Sequence, residues 1–101
     1  MDTNVSSADG RSVIRLAGRF DFNAHREFRE AVDQVLKSDG LREIQVDFGA
    51  VDYLDSSALG MLLMLRDKAR SAGKDVSLAN CRGAVKQVIE IANFGKLFAI
   101  S

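Results

Sequence analysis

The chain of 101 residues contains no proline and no tryptophan, one cysteine (Cys81) and one histidine (His25). A lone cysteine cannot close an internal disulfide, which fits a reducing compartment, and Cys81 reads as a small hydrophobe near a strand end. One His and one Cys far apart cannot furnish a usual zinc set, so no metal is expected. His25 falls on the polar side of a helical pattern and reads as a surface residue. Phosphate-cradling loops are missing too: there is no G-x-x-x-x-G-K-[ST], no G-x-G-x-x-G, and Gly73-Lys74 lacks the upstream glycine. No cofactor is expected. Charge of one sign is not in excess, since Lys plus Arg and Asp plus Glu each number 14. A chain without a net field gives little attraction for nucleic acid or an anionic membrane. Long apolar runs are absent as well. The longest, Ala58 to Leu65, contains Gly60 and falls far short of the ~20 residues a spanning helix needs. Met1-Asp2-Thr3-Asn4 has no basic region leading into an apolar one, so the expected location is the cytoplasm.

With 47% hydrophobic and 28% charged positions, the composition is that of one soluble domain over residues 1–101. Thr3–Ala8 and Ser12–Ala17, the latter continuing toward Phe20, flank the turn dipeptide Asp9-Gly10 and predict a β-hairpin. Between Asn23 and Lys37, Ala24, Phe28, Ala31, Val32, Val35 and Leu36 recur three and four apart. That spacing predicts a helix that Asp21 or Asn23 can cap and that ends before Gly40. Ile44, Val46 and Phe48 alternate with polar neighbours as a strand. A second helix is predicted over Ser57–Ala72 with Gly73 as its stop, then a strand through Val76, Leu78 and Ala79. A third helical pattern runs from Ala84 to Ala92, and Leu97–Ile100 forms a last short strand. The order β-β-α-β-α-β-α-β implies an α/β fold, a mixed sheet with helices packed against it.

The segment that stands out is Val51-Asp52-Tyr53-Leu54-Asp55-Ser56-Ser57-Ala58-Leu59-Gly60. Asp55-Ser56-Ser57 ahead of an apolar run is a helix cap, and the same geometry puts a hydroxyl where phosphate suits the helix dipole. On a helical wheel Ala58, Met61, Leu62, Leu65, Ala69 and Ala72 form an arc toward the core. Leu59, Leu63 and Met64 fall outside it, flanking Gly60 near Ser56, a placement that suits docking. Asp47, Asp52 and Asp55 are the densest carboxylates, yet without phosphate loops or metal ligands they do not make an enzyme.

Gly18-Arg19-Phe20-Asp21, the strand Ile44–Phe48 and Leu54-Asp55-Ser56-Ser57-Ala58-Leu59-Gly60 together resemble the STAS family of anti-sigma factor antagonists. The stretch Gly18 to Ala31 is similar to a proteobacterial subgroup tied to partner-switching control of secretion, motility or biofilm pathways. The resemblance implies a STAS fold and a phosphorylation cycle. A GHKL-type serine kinase that is also the anti-sigma factor modifies Ser56, a PP2C-type phosphatase reverses it, and only the unmodified protein holds its partner. Asp21, Asp55 and Ser57 lie beside that position, and Leu59, Gly60, Leu63 and Met64 form the expected docking surface. The free protein is expected to be a monomer. The alternative is a STAS accessory subunit of a lipid-transport ABC complex, which is not phosphorylated. Ala58 stands where many relatives have glycine, and a long C-terminal helix seen in some relatives is lacking.

Overall fold

Asp9 and Gly10 both take left-handed backbone conformations, with φ of 54° and 82°. Two such residues make the tight turn whose twist matches that of paired strands. They join β1 (Asp2–Ala8) to β2 (Arg11–Phe20) in an antiparallel register running from Asp2↔Ala17 to Ala8↔Arg11. A side chain at Gly10 would meet the Arg42 guanidinium at 2.7 Å, so glycine suits that corner for space as well as for φ. The Gly10 carbonyl accepts from the Arg42 and Glu43 N–H groups at 2.7 and 3.2 Å, tying the turn to the start of the next strand.

The computed structural model describes residues 1–38 and 40–101. After β2, a 3-10 turn (Phe22–Ala24) leads into α1 (His25–Leu36), followed by β3 (Glu43–Leu54) and α2 (Ser56–Ser71). Then come β4 (Asp75–Ala79), α3 (Gly83–Ile91), a second 3-10 turn (Phe94–Lys96) and β5 (Ala99–Ile100). The expected α/β order is therefore present. The strands form one sheet in the order β1-β2-β3-β4-β5, antiparallel between β1 and β2 and parallel from there on.

Alternation along the strands sets which face is dry. Ser12, Ile14 and Leu16 of β2 and Ile44, Val46 and Phe48 of β3 are sealed, while Arg15, Glu43, Gln45 and Asp47 turn to the other face and stay wet in part. The dry face receives Phe28, Ala31, Val32 and Val35 of α1 and Ala58, Met61, Leu62, Leu65 and Ala69 of α2. Phe20 lies 5.0 Å from Phe28 and 6.3 Å from Phe48, ring centre to ring centre, joining β2, α1 and β3 through aromatic contact. Among the described residues Ser12 is the buried polar exception, and its hydroxyl shares a 2.7 Å hydrogen bond with that of Ser7.

Several boundaries differ from those read in the sequence. β3 does not stop at Phe48 but runs to Leu54, because the β2–β3 register shifts past Arg15↔Asp47 and resumes at Ala17↔Ala50. The first helix is shorter than Asn23–Lys37, since the chain makes a 3-10 turn before it. Ala72 caps the C-terminus of α2 and is exposed, so it does not belong to the core-facing arc. The last strand is confined to Ala99–Ile100: residues 94–96 wind into a 3-10 turn that seats Phe94 and Phe98 in the core instead.

Candidate functional site

β2 and β3 end together, with Phe20 opposite Leu54, and the Asp55 N–H donates to the Phe20 carbonyl at 3.3 Å. The chain leaving β2 at Asp21 therefore meets the chain leaving β3 at Asp55. Asp55 has extended backbone geometry, and its Oδ1 accepts from the Ala58 N–H at 3.0 Å, which makes it the N-cap of α2. Asp21 does the same for the other turn, accepting from the Asn23 N–H at 3.0 Å. Both aspartates expected beside Ser56 are thus committed to caps at this shared corner.

Ser56 is the first residue of α2 and is exposed; Ser57 is half-buried behind it. Leu59, Gly60 and Leu63 follow Ser56 by three, four and seven positions and share its helical face. Leu63 is 37% exposed, whereas Leu59 and Met64 are half-buried with their inner edges against the core. Gly60 is exposed, and a Cβ there would touch nothing within 4 Å. Neither packing nor backbone geometry in this chain calls for glycine at that position, so its effect is to leave the helix backbone bare beside Ser56.

Three further residues belong to this corner. Phe22 in the 3-10 turn is 72% exposed, and Tyr53, two residues before the cap, is 39% exposed. Arg19 pairs with Tyr53 across the strands, holds its guanidinium 4.1 Å above the Tyr53 ring and lies 3.6 Å from the Asp21 carboxylate. The strand phase could have signalled one of them: if Phe20 points inward, Arg19 points out on the same side as Asp21. Tyr53 was hidden because β3 was read as ending at Phe48. His25 is exposed, in keeping with a surface histidine.

Of the other polar groups, Asp47 accepts from the Gly49 N–H at 2.8 Å and from Asn80 at 3.0 Å, so it braces a turn. Asp52 is exposed. Among the described residues no group of three or more His, Cys, Asp or Glu is placed to hold a metal. Burial, then the charge of Asp47, lifts the Cys81 thiol to about 11, against a smaller opposite effect of Lys86. That thiol is protonated at neutral pH and is a poor nucleophile. No described helix is long and apolar enough to cross a membrane.

The family described as "Mlab, STAS domain" matches residues 3–99 of the chain. A STAS-domain containing protein of Pseudomonas aeruginosa is 48% identical over 100 residues, covering 98% of this chain and 97% of that one. BtrV of Bordetella bronchiseptica, named as an anti-sigma factor antagonist, is 28% identical, covering 100% of this chain and 86% of its own. The anti-sigma factor antagonist SpoIIAA in its unphosphorylated form superposes with a TM-score of 0.75 at 20% identity, covering 99% of this chain and 87% of that one. The phosphorylated form of SpoIIAA, from Bacillus, gives the same TM-score at 19% identity, with 99% and 91% covered. The match over nearly its whole length, together with the five-stranded mixed sheet and the three helices packed against it, shows that this chain belongs to the STAS-domain family and has the fold of the anti-sigma factor antagonists.

Proposed function

We propose that this chain is a non-catalytic anti-sigma factor antagonist of a cytoplasmic partner-switching pathway, with Ser56 as its phosphorylation site. The observation that carries the reading is the exposed Ser56 hydroxyl at the start of a capped helix, followed on one helical face by Gly60 and a partly exposed Leu63. Its support from relatives is the name of BtrV and the existence of SpoIIAA in two phosphorylation forms of this fold.

The unmodified surface binds a serine kinase of GHKL type that is also the anti-sigma factor, and Leu59, Leu63 and Met64 supply apolar contact around the bare backbone of Gly60. Transfer of the γ-phosphoryl group of ATP to the Ser56 oxygen adds about −1.5 to −2 charges at the centre of that surface. Asp55 and Asp21 add to the negative field at the same corner. An apolar or acidic partner surface must then desolvate or repel the phosphate, and each ~1.4 kcal/mol of that cost lowers affinity tenfold. Release needs no unfolding, because the phosphate sits at a helix N-terminus, where the dipole favours it. A PP2C-type phosphatase restores the binding form.

The test is incubation of the protein with its cognate kinase and ATP, followed by intact mass and pull-down. One added phosphoryl group is expected on the wild type and none on Ser56→Ala, with Ser56→Ala retained on the kinase and Ser56→Asp lost. Equal retention of the two variants would end the gating model. The lipid-transport accessory subunit is not favoured by the named relatives, and absence of phosphoryl transfer in the same assay would revive it.

A further inference from the structure

The face of α2 that starts at Ser56 changes character along its length. Leu59, Leu63, Arg66 and Arg70 follow Ser56 by three, seven, ten and fourteen positions and so line one stripe of the helix. The other flank holds Lys68, whose Nζ reaches the Asp33 carboxylate of α1 at 3.3 Å, so the stripe faces away from α1. After Ser71 a turn through Gly73, with φ of 73°, brings Lys74 back to the helix end, its N–H donating to the Ala69 carbonyl at 2.8 Å. Arg66, Arg70 and Lys74 thereby rim a trough beside the start of β4, with Val76, Leu97 and Ala99 completing its lining on the apolar side. Arg66 is held in place by its Nε–H, which donates to the Leu97 carbonyl at 3.0 Å. Asp75 also borders the trough, but it pairs with Glu43, and strand phase sets it with Glu43 and Ser77 on the face opposite α2. Asp67, exposed on α2, is the other nearby carboxylate. Among the described residues neither it nor Asp75 forms an ion pair with the three cations, and none of the three is paired elsewhere. The helix dipole calls for cations in the last turn, which Lys68 and Arg70 supply, but not for Arg66 a turn earlier on the same stripe.

We infer that this trough is the second half of the surface that Ser56 gates, and that it takes an acidic segment of the partner kinase. The inference rests on the docking function proposed above and names the chemistry of its partner. Leu59, Gly60, Leu63 and Met64 are far fewer than the roughly 20–30 residues a side of a stable interface, so contact must extend beyond them. Along α2 it extends without a break from Leu63 to Arg66 and Arg70. In a chain whose 14 basic and 14 acidic residues cancel, three unpaired cations around one trough select an anion locally. An acidic segment also accounts for the gate, because the charge that these cations attract is the charge that a phosphate on Ser56 repels. Arg66 lies ten residues from Ser56, ~15 Å along the helix, beyond the ~8 Å screening length at physiological ionic strength. The phosphate therefore acts on the partner where it passes Ser56 and leaves the trough positive.

Binding of the purified GHKL-type kinase to the whole protein, followed across a series of salt concentrations, tests this. Arg70→Glu, at an exposed position, should lower affinity about tenfold at low salt, with the difference closing toward ~1 M salt, where screening reaches ~3 Å. Arg70→Lys should bind like wild type. In phosphoryl transfer Arg70→Glu should raise KM for this protein and leave kcat unchanged, since Ser56 is untouched, and its melting curve should match that of wild type. The proposal is overturned if Arg70→Glu and Arg66→Glu, both folded, bind the kinase as tightly as wild type at low salt. In that event Ser56→Asp, lost in the same assay, would keep the Ser56 reading standing. Retention of Ser56→Asp beside loss of Arg70→Glu would end the gate and uphold the trough. Cosedimentation of wild type with phosphatidylglycerol vesicles, abolished by Arg70→Glu while kinase binding is unchanged, would give the trough to a membrane and overturn the proposal as well.

Discussion

At the scale of single residues, the corner built by Asp21 and Asp55 is held by two side chains acting as caps. Replacing Asp55 by Ala leaves the Ala58 N–H without its acceptor and should cost about 1 kcal/mol, read as a lower urea midpoint with unchanged slope. Cys81 gives a pH signature. Its thiol rises on folding from 9.0 to about 11, chiefly through burial, so below pH 9 it is protonated in both states. Between those two values the unfolded chain gives up the proton first, so stability falls across that window and levels off above it. Cys81→Ala should flatten that part of the urea midpoint against pH, and an unchanged alkaline slope would show that other groups dominate. What was legible at this scale was chemistry carried in local order: Ser56 after an aspartate and before an apolar run. Arg19, Phe22 and Tyr53 were not legible as one cluster, because the register shift that aligns Tyr53 with Arg19 leaves no local trace.

At the scale of elements, α2 combines two demands on one cylinder. Its inner face was legible from periodicity in Ala58, Met61, Leu62, Leu65 and Ala69, all buried, but Ala72 lies past the last helical turn and escapes the pattern. Leu59 and Met64 fall at the arc's margins, which a wheel divides into inside and outside but a packed helix does not. Gly60→Ala offers a clean separation of stability from function. Nothing obstructs the added methyl, and removing a helix-interior glycine should stabilise the fold by about 1 kcal/mol and raise the melting temperature. The same methyl should weaken capture by the kinase, and a variant both more stable and equally well retained would take Gly60 out of the docking surface. β3 was misread for a related reason: Gly49-Ala50 breaks the alternation in sequence, while in the sheet it marks the place where the pairing with β2 shifts.

At the scale of the whole molecule, a single dry layer carries the stability. Phe20 touches α1 and β3 at once, so Phe20→Ala should cost about 3–5 kcal/mol, a large share of the ~5–15 kcal/mol typical of a domain. A chemical denaturation curve would show it as a large drop in midpoint. The order of strands and helices was readable because each crossover carries its own apolar period.

The two ends of the sheet are fastened by different means. At the end opposite the caps, the peptide group of Arg42 is a three-way junction: its N–H reaches the Gly10 carbonyl at 2.7 Å and its carbonyl receives the Asp75 N–H at 3.0 Å. The Arg42 side chain adds to the same knot, its guanidinium donating to the Asp9 carbonyl at 2.9 Å. In a saturation library, most substitutions at position 42 should cost only that exposed side-chain bond, while proline, which has no N–H to give, should cost the main-chain junction as well.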